Sequence, residues 1–116
     1  MANSRRLPLI TIQRKANGRL VPSIDGHYPD GARGQLEAVA QCLFDNLGRG
    51  IPYNRLLAVI GRKSDNPTSR HLLRQYTSML RETLLASKSP YFVAVIKEVG
   101  YCLCELEKNP RLSGRV

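Results

Sequence analysis

Six side chains between residues 70 and 81 have the types and spacing to bind a polyanion or to read a base edge. They are Arg70, His71, Arg74, Gln75, Ser78 and Arg81. At about 100° per residue, as in a helix, Arg70, Arg74, Ser78 and Arg81 fall on one face, with His71 and Gln75 beside them. Guanidinium, amide and hydroxyl groups bond phosphate oxygens and base edges, and a major groove is wide enough to admit a helix. No carboxylate interrupts this face before Glu82. A merely solvated helix face is the competing account of such a charge run.

The helix that must carry these groups is predicted over 68–85. Leu73, Tyr76, Thr77, Leu80 and Leu84 form an apolar stripe on its other side, the stripe a helix needs to dock on a core. Thr68 or Ser69 is the expected N-cap. Ahead of it, 62–67 (RKSDNP) is a polar loop rich in turn formers. A shorter helix with Leu56, Leu57 and Ile60 ends at Gly61, and Pro52 suits its first turn. An earlier helix carries Leu36, Val39, Ala40, Leu43, Phe44 and Leu47 at helical spacing, with Gly48 as its stop and Cys42 at the margin of the stripe.

Strands flank the helices. Leu7 to Gln13 and Arg19 to Ile24 read as a pair joined by a tight primed turn at Ala16-Asn17-Gly18, with Pro22 confining the second strand to an edge or an end. Asp25-Gly26 is a further turn, and Pro29-Asp30-Gly31 breaks the chain before the first helix. Tyr91 to Ile96 and Tyr101 to Leu106 form a second hairpin, punctuated by Glu98 and Gly100. If Tyr101 and Leu103 face the core, alternation leaves Cys102 and Cys104 on the other face as accessible thiols. Residues 1–6 and 107–116 read as loose, basic termini around one domain at 7–106. The fold class is therefore α+β: an N-terminal antiparallel sheet, three helices and a C-terminal hairpin.

Charge narrows the function. A net charge of +9 and a pI near 10.0 are unusual for a small enzyme and common for a nucleic-acid binder. Between Arg49 and Lys97 the only carboxylates are Asp65 and Glu82. No apolar run suits a membrane span or a signal peptide, and no basic amphipathic anchor marks a membrane surface, so a cytoplasmic chain with no membrane partner is expected. Three cysteines do not make a disulfide framework, and Cys102–Cys104 lacks the second pair of a zinc site; no metal or other cofactor is expected. His27 and His71 have no nucleophile or carboxylate at motif spacing, which argues against an enzyme.

The order helix, turn, helix, long helix and terminal hairpin is that of a winged helix-turn-helix. Val93 to Leu103 (VAVIKEVGYCL) resembles the wing of the OmpR/PhoB-type response-regulator output domain, in which a strand, an Arg-Gly-x-Gly-Tyr turn and a strand recur. The segment 48–61 (GRGIPYNRLLAVIG) resembles that family's second helix, and Leu80, Arg81 and Leu84 match the Leu-Arg-x-x-Leu ending of its recognition helix. The leading sheet is also characteristic, so the likeness spans 7–106.

What the resemblance implies is a bacterial, nucleoid-associated transcriptional regulator that binds double-stranded DNA. It puts helix 68–85 in the major groove and wing 97–100 at the adjacent minor groove. It assigns DNA contacts to Arg70, His71, Arg74, Gln75, Ser78, Arg81 and the wing cation Lys97. It implies weak homodimerisation on DNA, since relatives occupy direct repeats, and a contact of loop 62–67 with RNA polymerase. No receiver domain is expected in 116 residues, so phosphorylation-driven dimerisation is expected to be absent from this polypeptide.

Three departures stand against the family pattern. Glu98 replaces the first wing glycine, Tyr76 sits where a phosphate-binding histidine is common, and Cys102 and Cys104 stand where a basic residue is common. The Glu98 and Cys102 departures favour the alternative of a winged-helix interaction module binding another regulator or RNA polymerase. An RNA-binding domain is a third option, but there is no aromatic stacking strand with basic flanks.

Overall fold

A computed structural model describes residues 9–25 and 32–106. The expectations for 1–6, Leu7, the turns at Gly26 and Pro29-Asp30-Gly31, His27 and 107–116 fall outside those residues. The described chain is a small α+β domain of three helices and two antiparallel sheets. Its elements run β1 (Leu9–Arg14), β2 (Leu20–Asp25), α1 (Ala32–Asp45), β3 (Gly50–Pro52), α2 (Tyr53–Val59), α3 (Pro67–Ala86), β4 (Tyr91–Ile96) and β5 (Gly100–Glu105).

β1 and β2 pair as a ribbon, with Ile10 opposite Ile24 and Ile12 opposite Pro22. Ile10, Pro22 and Ile24 turn inward, as strand alternation requires, while Thr11 and Ser23 are exposed. The connection differs from the expected primed turn. Gly18 alone has positive φ (88°), its N–H donates to Lys15 O (2.9 Å), and Arg19 N–H donates to the Asn17 side-chain oxygen (2.9 Å). This is a three-residue loop with glycine in the left-handed position, which leaves Asn17 unstrained. Both outer edges of the ribbon are capped by side chains: Ile10 N–H donates to Ser87 Oγ (2.8 Å) and Ile24 N–H to the Glu37 carboxylate (2.7 Å). Arg19 forks onto Asp45 (3.0 Å) and holds that carboxyl below the usual range by its hydrogen bond, tying the ribbon to the end of α1.

The helices share one core. Leu36, Val39 and Leu43 of α1 meet Leu56 and Leu57 of α2 and the α3 stripe Leu73, Tyr76, Leu80 and Leu84, all buried as their spacing predicts. Helix α3 starts one residue earlier than expected, and its cap is neither Thr68 nor Ser69. The Asn66 side chain accepts from Ser69 N–H (2.8 Å), and Pro67 takes the first helical position, where a missing N–H costs nothing. At the other end Lys88 turns left-handed (φ 55°), so Lys88 N–H reaches Leu85 O and Ser89 N–H reaches Leu84 O (3.0 Å each).

One strand was not expected. Gly50–Pro52 forms β3, so Gly50 is a strand residue and Pro52 precedes α2 at its N-cap rather than entering its first turn. Three residues bracketed by Gly and Pro carry no periodicity of their own; the pairing with β5 makes them a strand. The second sheet has the order β3-β5-β4, with Ile51 opposite Tyr101 and Val93 opposite Leu103. Gly100 faces both Pro52 and Ile96 in this register. A Cβ there would lie 1.8 Å from the Ile51 carbonyl oxygen, so only glycine lets β3 approach.

Candidate functional site

The exposed side of α3 is a polar surface. His71, Arg74, Gln75 and Ser78 are exposed, and Thr77, which closes the buried stripe behind them, turns its hydroxyl back to Arg74 O (3.0 Å). Arg74 and Lys97 make no salt bridge among the described residues. Arg81 departs from a purely solvent-facing role: its Nε–H donates to Val93 O (3.2 Å), which fixes the helix against β4 and leaves its remaining donors outward.

Arg70 is not an open cation. Asp65, two residues before the helix, takes its Nε at 2.6 Å and its Nη2 at 2.7 Å, and the guanidinium carbon lies 3.8 Å from the centre of the Tyr53 ring. The hydrogen bond from Arg70 holds the Asp65 carboxyl below the usual carboxylate range. Tyr53 in turn packs edge-on against Tyr101 (5.7 Å). Sequence reasoning missed Asp65 and Tyr53. The available signal was the run Asp65-Asn66-Pro67, a capping turn that brings its first residue back onto the opening turn of the helix.

The β4–β5 turn joins this cluster. Tyr53 N–H donates to Val99 O (3.0 Å), so the turn bearing Lys97 is fastened to the head of α2, beneath Arg70. Val99 N–H closes the turn onto Ile96 O (2.9 Å), and Glu98 has φ 65°, a conformation that glycine adopts without strain. Glu98→Gly is expected to raise stability by about 1 kcal/mol through relief of that strain; a thermal midpoint equal to or below that of the parent would refute this.

Tyr76, a member of the expected apolar stripe, is buried, and its hydroxyl donates to the Gln35 side-chain oxygen on α1. Cys102 is a correction. It lies on the face opposite Tyr101, as alternation requires, but is only 7% exposed because β5 is central and Gly50 and Ala94 flank it. Burial, with Cys104 Sγ at 3.7 Å, pushes its thiol up to about 11, so little thiolate is present at neutral pH. Cys104 is half-buried, and so is Cys42, whose thiol burial also raises.

Two hollows border these elements. One of about 450 Å³ is lined by Asp65, Asn66, Pro67, Arg70 and Arg74, beside the Arg70 fork. The other, about 490 Å³, lies between the β1–β2 turn, the end of α1 and the sheet, where Arg14, Arg19 and Arg49 are offset by Asp45 and Glu105. Among the described residues no three His, Cys, Asp or Glu groups are placed to hold a metal ion, and no helix is long and apolar enough to cross a membrane. Comparison of the chain with models of protein families, with curated proteins and with solved structures finds no match.

Proposed function

We propose that this chain is a winged helix-turn-helix protein that binds double-stranded DNA sequence-specifically and regulates transcription. The observation that carries the reading is the exposed face of α3, where His71, Arg74, Gln75 and Ser78 precede the first carboxylate of the helix, Glu82, with the β-turn bearing Lys97 fastened to α2 beneath Arg70. The sheet order β3-β5-β4, with α2 and α3 between β3 and β4, supports it. On this reading α3 enters the major groove, and the β4–β5 turn is a wing at the next minor groove, which is about 6 Å wide. Phosphate contacts supply most of the affinity and base edges supply discrimination. Glu98 sets a carboxylate beside the duplex, so Glu98→Gly strengthens binding as well as folding.

The test is fluorescence anisotropy on a labelled duplex, titrated with salt. Binding that weakens steeply with salt supports the reading, and no binding at about 10⁻⁴ M protein, the weak end of ordinary non-specific affinity, rejects it. Arg74→Ala is expected to cost about 1–3 kcal/mol on a selected site, the usual worth of a good base contact; unchanged affinity there would remove Arg74 from the interface. A second reading, an interaction module for another regulator or RNA polymerase, draws on the outer sheet face. There Phe92, Ala94, Ile96, Cys102 and Cys104 share one side with no charge among them, and the first three are half-buried. A partner captured equally well by the parent and by a variant lacking the α3 cations would favour it.

A further inference from the structure

We propose that Arg70, braced by Asp65 and Tyr53, is a guanine reader, a specificity that rests on the DNA-binding reading above. An arginine carries five N–H donors in one plane. Asp65 occupies the side edge, through Nε and Nη2. Nη1 donates to no described residue. The opposite end of the fork therefore presents two parallel donors, one from each terminal nitrogen. In the major groove only guanine offers two neighbouring acceptors, O6 and N7, to such a pair. Adenine sets an amino donor beside its N7, thymine offers O4 beside a methyl group, and cytosine offers a donor.

The bracing makes this more than a surface ion pair. Two bonds to one carboxylate set the fork's direction, and the Tyr53 ring, 3.8 Å from the guanidinium carbon, supports it from below. A guanidinium held this way loses little freedom on meeting a base. Asp65 also cancels the formal charge of Arg70, which makes the pair a poor phosphate anchor while leaving its directional donors intact. Open space lies beside it, in the hollow of about 450 Å³ that Asp65, Arg70 and Arg74 line. Arg70 sits in the opening turn of α3, the end that helix-turn-helix proteins turn toward the bases.

The experiment is selection from a pool of randomised duplexes, followed by sequencing, for the parent, Arg70→Ala, Arg70→Lys and Asp65→Asn, each first checked for an unchanged circular dichroism spectrum and thermal transition. The parent is expected to enrich a motif with a dominant guanine column. Arg70→Ala loses preference at that column by about tenfold or more and keeps the others. Arg70→Lys keeps charge but not the fork and loses the column too. Asp65→Asn weakens the column while binding of unrelated duplexes becomes tighter. A motif that Arg70→Ala leaves unchanged overturns the assignment while DNA binding stands. Tighter binding of every sequence by Asp65→Asn with the column intact also overturns it, since Asp65 then only opposes the phosphates. A parent that binds no duplex removes both the DNA reading and this one.

Discussion

Gly100→Ala is expected to destabilise the domain by about 3 kcal/mol or more, beyond the ordinary range of overpacking, because the clash is with backbone. The added carbon would stand 1.8 Å from the Ile51 carbonyl oxygen and 2.8 Å from its carbon, and neither belongs to a flexible side chain. Relief requires β3 to leave β5, which uncovers Ile51 and pulls on the head of α2. Urea denaturation checks this through the midpoint, with the slope reporting whether the native state has loosened. Gly34 is the internal control: it is exposed in α1 with nothing within 4 Å of its would-be Cβ, so Gly34→Ala should be neutral or stabilising by up to about 1 kcal/mol. Equal midpoints for the two variants would show that β3 yields easily and that the close approach is not a constraint.

On the proposed DNA-binding reading, the Arg70/Arg74/Lys97 triple alanine variant is expected to lose duplex binding about a hundredfold at low salt, each cation on a phosphate or base being worth a kcal/mol or more. Its salt dependence separates the roles. Each phosphate contact steepens the slope of log affinity against log salt by about 0.9. Arg74 and Lys97 make no salt bridge among the described residues, whereas Arg70 is neutralised by Asp65. With Arg74 on a base edge and Lys97 on a phosphate, the slope should fall by about 1 rather than 3. Since none of these side chains belongs to the buried core, the thermal midpoint should move little. Unchanged affinity with an intact fold would sink this surface as the interface and leave DNA, if bound, to another face.

The parts of the fold legible in the sequence were those written as periodicity. Leu73, Tyr76, Thr77, Leu80 and Leu84 recur with the helical period and are all buried; Tyr91–Ile96 is rich in β-branched and aromatic residues and is a strand. Features decided by a partner distant in sequence were not legible. β3 exists because β5 pairs with it, and Gly100 is needed because the Ile51 carbonyl arrives from the other side of two helices. Cys102 is covered because its strand is central, which alternation alone does not reveal. In the candidate site, residue types on one helix face indicate which groups are exposed, but they do not show that Arg70 is paired. Its pairing with Asp65 spans the capping turn, outside the i to i+4 spacing by which helix pairs are recognised. Arg81 likewise falls on the polar face by its spacing, but its bond to Val93 O depends on where β4 lies.

The hydrogen bond from Tyr53 to Val99 gives the molecule the character of a caliper. The turn carrying Lys97 and the helix head beneath Arg70 are two jaws joined by that bond. Their separation is set by covalent geometry and sheet register, not by the ligand. On the proposed reading, a site whose two contact points are moved apart by one base pair cannot be followed by stretching. It would be bound through one jaw or the other, never both. The spacing between the two features of a target would then be as invariant as the bases themselves.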